Sequence, residues 1–208
     1  MALTSSQAVL IDDFNSYVSG SYIQTQNPNW SRFGAATTDG IYSIAGGVNG
    51  TRGASYSVNF ANNAVGSVRY TFATAQDFTA TPTVSLDLSI PLSLVGTQVQ
   101  AVLYSGTTVY QTTALSFTNA SYQTYTFDLI QSNVTRTEGT ASLADSLANV
   151  TGIALRFSNT NGTGTASINF DNLSVVPEPS TTTALALAAA GFGLYAFRGR
   201  RPAAVAKK

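Results

Sequence analysis

Val84-Ser85-Leu86-Asp87-Leu88-Ser89-Ile90 puts four apolar side chains on one side of an extended backbone and Ser85, Asp87 and Ser89 on the other. Successive side chains of a strand point to opposite faces, so this segment is a strand with one dry face and one wet face. Tyr122 to Leu129 repeats the pattern, with Tyr125, Phe127 and Leu129 opposite Thr124, Thr126 and Asp128. Similar runs over Ala54 to Phe60, Ser67 to Phe72, Gln98 to Tyr104, Gly152 to Phe157 and Ser167 to Val176 predict further strands. Turn-forming clusters such as Gly46-Gly47, Asn62-Asn63, Ser105-Gly106 and Asn161-Gly162-Thr163-Gly164 separate them. Helical spacing is nearly absent; Ser142 to Val150 predicts one short connector helix crossing an end of the structure. Many short one-sided strands predict an all-β fold, an antiparallel β-sandwich of jelly-roll type over residues 9–176.

The 208 residues suit one such domain with extensions and leave no room for a second catalytic domain. Only 10% of residues are charged, which predicts a neutral, hydroxylated surface. Residues before Pro177 carry nine acids against five arginines, and no lysine precedes Lys207. Nucleic acid is excluded as a partner, because phosphate binding needs a basic face. The chain has no cysteine and no histidine, so disulfides, thiolate metal sites and the usual general base are absent. Residues 1–8 lack a basic, apolar leader. Ser6-Gln7-Ala8 does place small residues where a signal peptidase reads, so Met1 is expected to lie inside a truncated leader, with Val9 near the mature start.

Composition changes abruptly after Val176, to Pro177-Glu178-Pro179-Ser180, an uncharged stretch over 181–197, and a basic end over 198–208 that includes Arg198, Arg200 and Arg201. The prolines forbid regular continuation of a strand or helix, which keeps the segment extended and accessible. The uncharged stretch is helix-compatible but falls slightly short of the ~20 residues that span a bilayer comfortably. The arginines after it stay cytoplasmic by the positive-inside rule, leaving the sandwich outside the inner membrane. A plain single-span anchor is the competing reading. These three parts in order resemble the PEP-CTERM sorting signal of Gram-negative bacteria that make exopolysaccharide. The resemblance implies recognition of Pro177, Glu178 and Pro179 by exosortase, a membrane protease, followed by release or transfer of the body to the outer surface or the biofilm matrix.

Leu10-Ile11-Asp12-Asp13-Phe14 and Ile168-Asn169-Phe170-Asp171-Asn172-Leu173-Ser174-Val175 resemble the first and last strands of galactose-binding-like jelly rolls, the fold of many carbohydrate-binding modules. If those strands pair, Asp12, Asp13 and Asp171 offer hard oxygen ligands to a structural calcium ion, assisted by carbonyls near Gly46 to Asn49; otherwise they are solvated strand-edge charges. Nothing in the spacing of the nine acids singles out a glycosidase pair, and no Gly-x-Ser-x-Gly elbow is present. Non-catalytic binding is the better class. Trp30, with Tyr22, Arg32 and Tyr42 near it in sequence, is the candidate sugar platform, unless Trp30 fills the core. The expectation is an exported surface or matrix protein that binds carbohydrate of the exopolysaccharide or cell surface. Its alternative is a structural matrix or adhesion protein with no sugar site.

Overall fold

A computed structural model describes residues 9–176 except 35–36, 62–63, 81–82, 91–95, 117–119 and 160–163. The leader-like start, the Pro-Glu-Pro motif, the apolar stretch over 181–197 and the terminal arginines therefore lie outside the described residues. Among those described, no helix is long and apolar enough to cross a membrane.

Two antiparallel sheets form a sandwich of jelly-roll type. The six-stranded sheet comprises β1 (Val9–Asp12), β3 (Thr37–Ile44), β4 (Gly53–Asn59), β6 (Thr83–Ser89), β10 (Gln123–Asp128) and β13 (Thr165–Val176). Its order is β10-β6-β13-β4-β3, and β1 pairs with the last part of β13. The seven-stranded sheet has the order β11-β8-β7-β12-β5-β2, with the short β9 (Leu115–Ser116) beside β7. Here β2 is Trp30–Phe33, β5 Gly66–Gln76, β7 Thr97–Ser105, β8 Thr108–Thr112, β11 Val134–Glu138 and β12 Val150–Asn159. Each predicted strand is present, with its ends moved by a few residues. Strands β2, β3, β8 and β11 were not resolved by periodicity. They are short or polar, and in β11 only Val134 is buried.

The apolar residues of the opening heptad behave as expected: Val84, Leu86, Leu88 and Ile90 are buried between the sheets. Each contributes about 1.5–3 kcal/mol of transfer free energy. The connector helix is present as α2 (Leu143–Leu147) and buries Leu143 and Leu147. Ser142 caps it, accepting a bond from the Asp145 amide at 3.1 Å. A further single turn, α1 (Ile23–Gln26), was not foreseen.

The first and last strands do pair, Val9 with Val175 and Leu10 with Ser174. A register shift after Leu10 then turns Asp12 inward opposite Leu173. This carboxylate, 9% exposed, satisfies three donors. Its Oδ1 accepts the Phe14 amide at 2.8 Å, and its Oδ2 accepts Trp30 Nε1–H at 2.8 Å and the Tyr17 hydroxyl. Burial and the adjacent Asp12 push the Tyr17 hydroxyl pKa well up, keeping it a donor. The bond from Phe14 holds that residue at φ 58, a left-handed conformation unfavourable for a large side chain. Phe14 then packs edge-on against Phe170 at 5.3 Å and, with its ring tilted, against Trp30 at 5.4 Å.

Replacing Asp12 with alanine leaves three buried donors unpaired. Urea denaturation is expected to show a loss of about 3 kcal/mol or more, whereas Asp13→Ala, which frees only the Asn15 amide, should stay within about 1 kcal/mol of the parent protein. Equal losses would contradict the role of Asp12 in joining Phe14, Tyr17 and Trp30.

Candidate functional site

The four residues expected to form a sugar platform divide between two places. Trp30 is 2% exposed, with its ring 5.2 Å from Tyr70 and its N–H given to Asp12. It is a core residue and offers no face to a ligand. The polar loop before it made it look exposed, but a buried indole needs only one acceptor, which Asp12 supplies. Arg32 sits on β2 of the seven-stranded sheet and Tyr42 on β3 of the other. Tyr22 and Tyr42 do meet, with ring centroids 4.4 Å apart and their hydroxyls hydrogen-bonded at 2.6 Å.

The three aspartates expected to hold calcium are not assembled. Asp12 points into the core, whereas Asp171 lies on the outer side of the six-stranded sheet, beneath the turn at 47–51. Strand alternation, shifted by the irregularity in β1, separates them. Asp171 is fully buried. Its Oδ2 accepts the Val48 amide at 2.9 Å and the Thr51 hydroxyl at 3.1 Å, and its Oδ1 accepts the Asn172 amide at 2.8 Å. The backbone near Gly46 to Asn49 thus offers an N–H to Asp171. Burial raises the Asp171 pKa, and these donors partly oppose the rise. Among the described residues, no group of three acidic side chains is arranged to hold a metal ion.

A richer arrangement lies on the outer face of the seven-stranded sheet. In β5 the core takes Val68, Tyr70 and Phe72, which turns Arg69 outward. In β12 the core takes Ile153, Leu155 and Phe157, which turns Gly152, Ala154 and Arg156 outward. In β7, Val99, Ala101 and Leu103 face in, and Gln100, Val102 and Tyr104 face out. The ladders then align these positions across the sheet. Ala154 lies between Arg69 and Val102, and Val102 pairs with Gln111. One row away, Gly152 lies between Thr71 and Tyr104.

Gly152 is the position that shapes this face. A Cβ there would come within 3.0 Å of Arg69 Nε and 2.8 Å of the Tyr70 carbonyl oxygen. The bare backbone lets Arg69 cross β12 and lay its Cζ 3.9 Å from the centroid of the Tyr104 ring. Arg69 Nε is buried and has no hydrogen-bond partner, a donor left with bonding capacity. Beside it, Arg156 Nη1 donates to Gln111 Oε1 at 2.7 Å, and Gln100 Nε2 donates to the Thr112 carbonyl at 2.9 Å. Val102, Val109 and Ala154, each less than a tenth exposed, form the floor, and Tyr104 packs on them. The longer side chains around these outward residues cover them, and the strip of sheet so outlined is termed the outer furrow.

The furrow therefore combines an apolar floor, planar side chains and guanidinium and amide donors. The sequence supplied a signal for it, the arginines and tyrosine at wet positions of predicted strands. It did not supply which wet faces adjoin.

The tail answers a different question. A model of the PEP-CTERM protein-sorting motif matches residues 175–201. The chain carries a PEP-CTERM sorting motif. The motif marks an exported protein held at the membrane through its C-terminus before processing. It begins on Val175 and Val176, the last two residues of β13.

No curated protein sequence matches the chain. Solved structures do match the sandwich. The family 11 carbohydrate-binding module of a cellulosomal cellulase from Clostridium thermocellum superposes with a TM-score of 0.58 at 12% identity, covering 84% of this chain and 97% of that one. A module from Caldicellulosiruptor saccharolyticus, solved with mannohexaose, gives 0.56 at 13% identity, covering 85% and 100%. An exo-β-agarase gives 0.55 at 12% identity, over 82% of this chain but 26% of the enzyme. At such identities the likeness is one of fold.

Because the oxygens of Asp12 and Asp171 already accept hydrogen bonds, calcium and chelator are expected to leave the melting temperature of the protein unchanged. A rise with calcium that is reversed by chelator would contradict this description.

Proposed function

We propose that the protein is an exported, non-catalytic carbohydrate-binding protein whose binding surface is the outer furrow of the seven-stranded sheet. The observation that carries the reading is the Arg69–Tyr104 stack over Gly152, set among Arg156, Gln111 and Gln100. A sugar ring has an apolar C–H face and a rim of hydroxyls. It gains from stacking on a planar side chain while fixed donors and acceptors take the rim. The furrow has both, and the shielding of Val102, Val109 and Ala154 keeps competing water from its floor. Bound sugars in similar folds support the reading as an analogy of architecture. The ligand class proposed is a neutral or weakly acidic polysaccharide of the exopolysaccharide or cell surface, since the furrow presents guanidinium groups.

The same proposal takes the tail as a processing signal read by exosortase. The polypeptide would be anchored at the inner membrane by residues 181–197, cut near Pro177 to Ser180, and delivered to the outer surface or the extracellular matrix. The abrupt compositional change after Val176 supports this, as does the match to the sorting motif. Mass spectrometry of protein from its native host should find chains ending between 177 and 180. An intact Lys208 in mature material would mean a permanent anchor.

For the furrow, titration with β-1,3-1,4-glucan, mannohexaose and agaro-oligosaccharides is expected to reveal binding by at least one. Tyr104→Ala and Arg69→Ala should each weaken it about tenfold or more, equivalent to about 1.4 kcal/mol. Binding unaffected by both changes would remove the site from this face. Failure of every glycan, including the host's own exopolysaccharide, would favour a purely structural matrix role.

A further inference from the structure

The six-stranded sheet also has an outer face, and it differs in character from the furrow. Tyr42 faces out from the edge strand β3, paired with Ser55 of β4. Tyr22 joins it through a bridge and a tilted ring contact. The Tyr22 ring occupies the space a side chain at position 40 would fill: a Cβ on Gly40 would lie 2.2 Å from it. The pair is thus seated flat against the sheet, yet Tyr22 remains 41% exposed. Next to it, the ladders set Ser55 opposite Asn169 and Ser57 opposite Ser167. These four side chains are at least partly exposed and take part in no hydrogen bond among the described residues. Two contacting rings, Tyr22 exposed and Tyr42 half-buried, beside a patch of unengaged hydroxyl and amide groups, without a charged side chain between them, match the two surfaces of an uncharged sugar. The charged side chains one outward position beyond Asn169 and Ser89 are Asp171 and Asp87, both carboxylates already accepting hydrogen bonds, so an anionic partner would find no complement here, and an apolar one would strand the four polar groups.

We infer that this face is a second carbohydrate-binding surface for a neutral polysaccharide, with Tyr22 and Tyr42 as the stacking platform and Ser55, Ser57 and Asn169 as hydrogen-bonding groups. The inference rests on the reading of the furrow as the first such surface. The two sheets are packed back to back, so their outer faces point in opposite directions. A single molecule then holds two polysaccharide chains at once and cross-links them without dimerising. That architecture turns a binding protein into a matrix-forming one, because bridging raises the effective concentration of one polymer near another.

The test uses the full chain and the probes named for the furrow. In calorimetric titration with the oligosaccharide that binds, the parent protein is expected to take two per chain. The double variant Tyr22→Ala/Tyr42→Ala and the double variant Arg69→Ala/Tyr104→Ala should each take one, with circular dichroism confirming that both remain folded. Light scattering with the matching polymer should show large aggregates for the parent and none for either double variant. One site per chain, lost with Arg69 and Tyr104 and indifferent to Tyr22 and Tyr42, overturns the second surface and leaves the first. One site lost with Tyr22 and Tyr42 alone overturns the furrow and, with it, cross-linking. Absence of binding to every probe overturns both.

Discussion

Strand β12 is hydrogen-bonded on both edges, and the geometry of the furrow follows from the register of those two ladders. Gly152 meets Thr71 on one side and Tyr104 on the other, and Ala154 meets Arg69 and Val102. Since side chains alternate, a slip of one residue would send Ile153, Leu155 and Phe157 to water and draw Arg156 into the core. Those three side chains are at most 1% exposed, so their burial fixes the register. The outer face inherits its order from the inner one. Arg69 reaches Tyr104 because the residue between them has no side chain, and that residue is in place because its neighbours are buried.

The opposite sheet is closed by a polar device. Asp12 gathers Phe14, Tyr17 and Trp30 around one carboxylate, which joins the short first strand to the aromatic centre of the sandwich. A buried carboxylate is costly unless its oxygens are engaged, and here three donors engage them. From Phe14 the aromatic contacts continue through Trp30, Tyr70 and Phe72 to Phe78, with centroid separations of 5.2–5.7 Å. The last strand, clasped by β1, ends where the sorting motif begins. Four residues, 177–180, separate the sheet from the uncharged stretch. Even fully extended they reach only about 14 Å. If residues 181–197 are the anchor, as proposed, the sandwich sits close to the membrane surface before processing.

Much of this was legible in the amino-acid order. The heptad from Val84 to Ile90 carries its fold class openly, because apolar side chains confined to one face leave a period of two; its other face is less wet than that period implies, with Ser85 and Ser89 each 9% exposed. The pairing of first and last strands entered only as a condition, through the resemblance of their motifs to galactose-binding-like jelly rolls; the helix begun at Ser142 and the tail, whose parts are contiguous, were legible from local sequence. The furrow was not. Its residues come from β5, β7, β8 and β12, and alternation identifies a wet face without telling which wet faces are neighbours. Trp30 left two readings open, a platform or a core residue, because a polar surrounding in sequence does not settle the surrounding in space; it is a core residue, 2% exposed. That Asp12 and Asp171 point to different sides was not legible, because a one-residue irregularity in β1 reverses the side to which Asp12 points.

The central claim is that the outer face of the seven-stranded sheet is the surface that meets carbohydrate. Its most direct test is a nitrogen-15 chemical-shift map of the protein during titration with a bound oligosaccharide. The amide signals of Arg69, Gly152, Tyr104 and Arg156, together with the Arg69 Nε–H, are predicted to move in concert along one isotherm. Shifts that leave these residues untouched and gather at the loops or at an end of the sandwich would contradict the account.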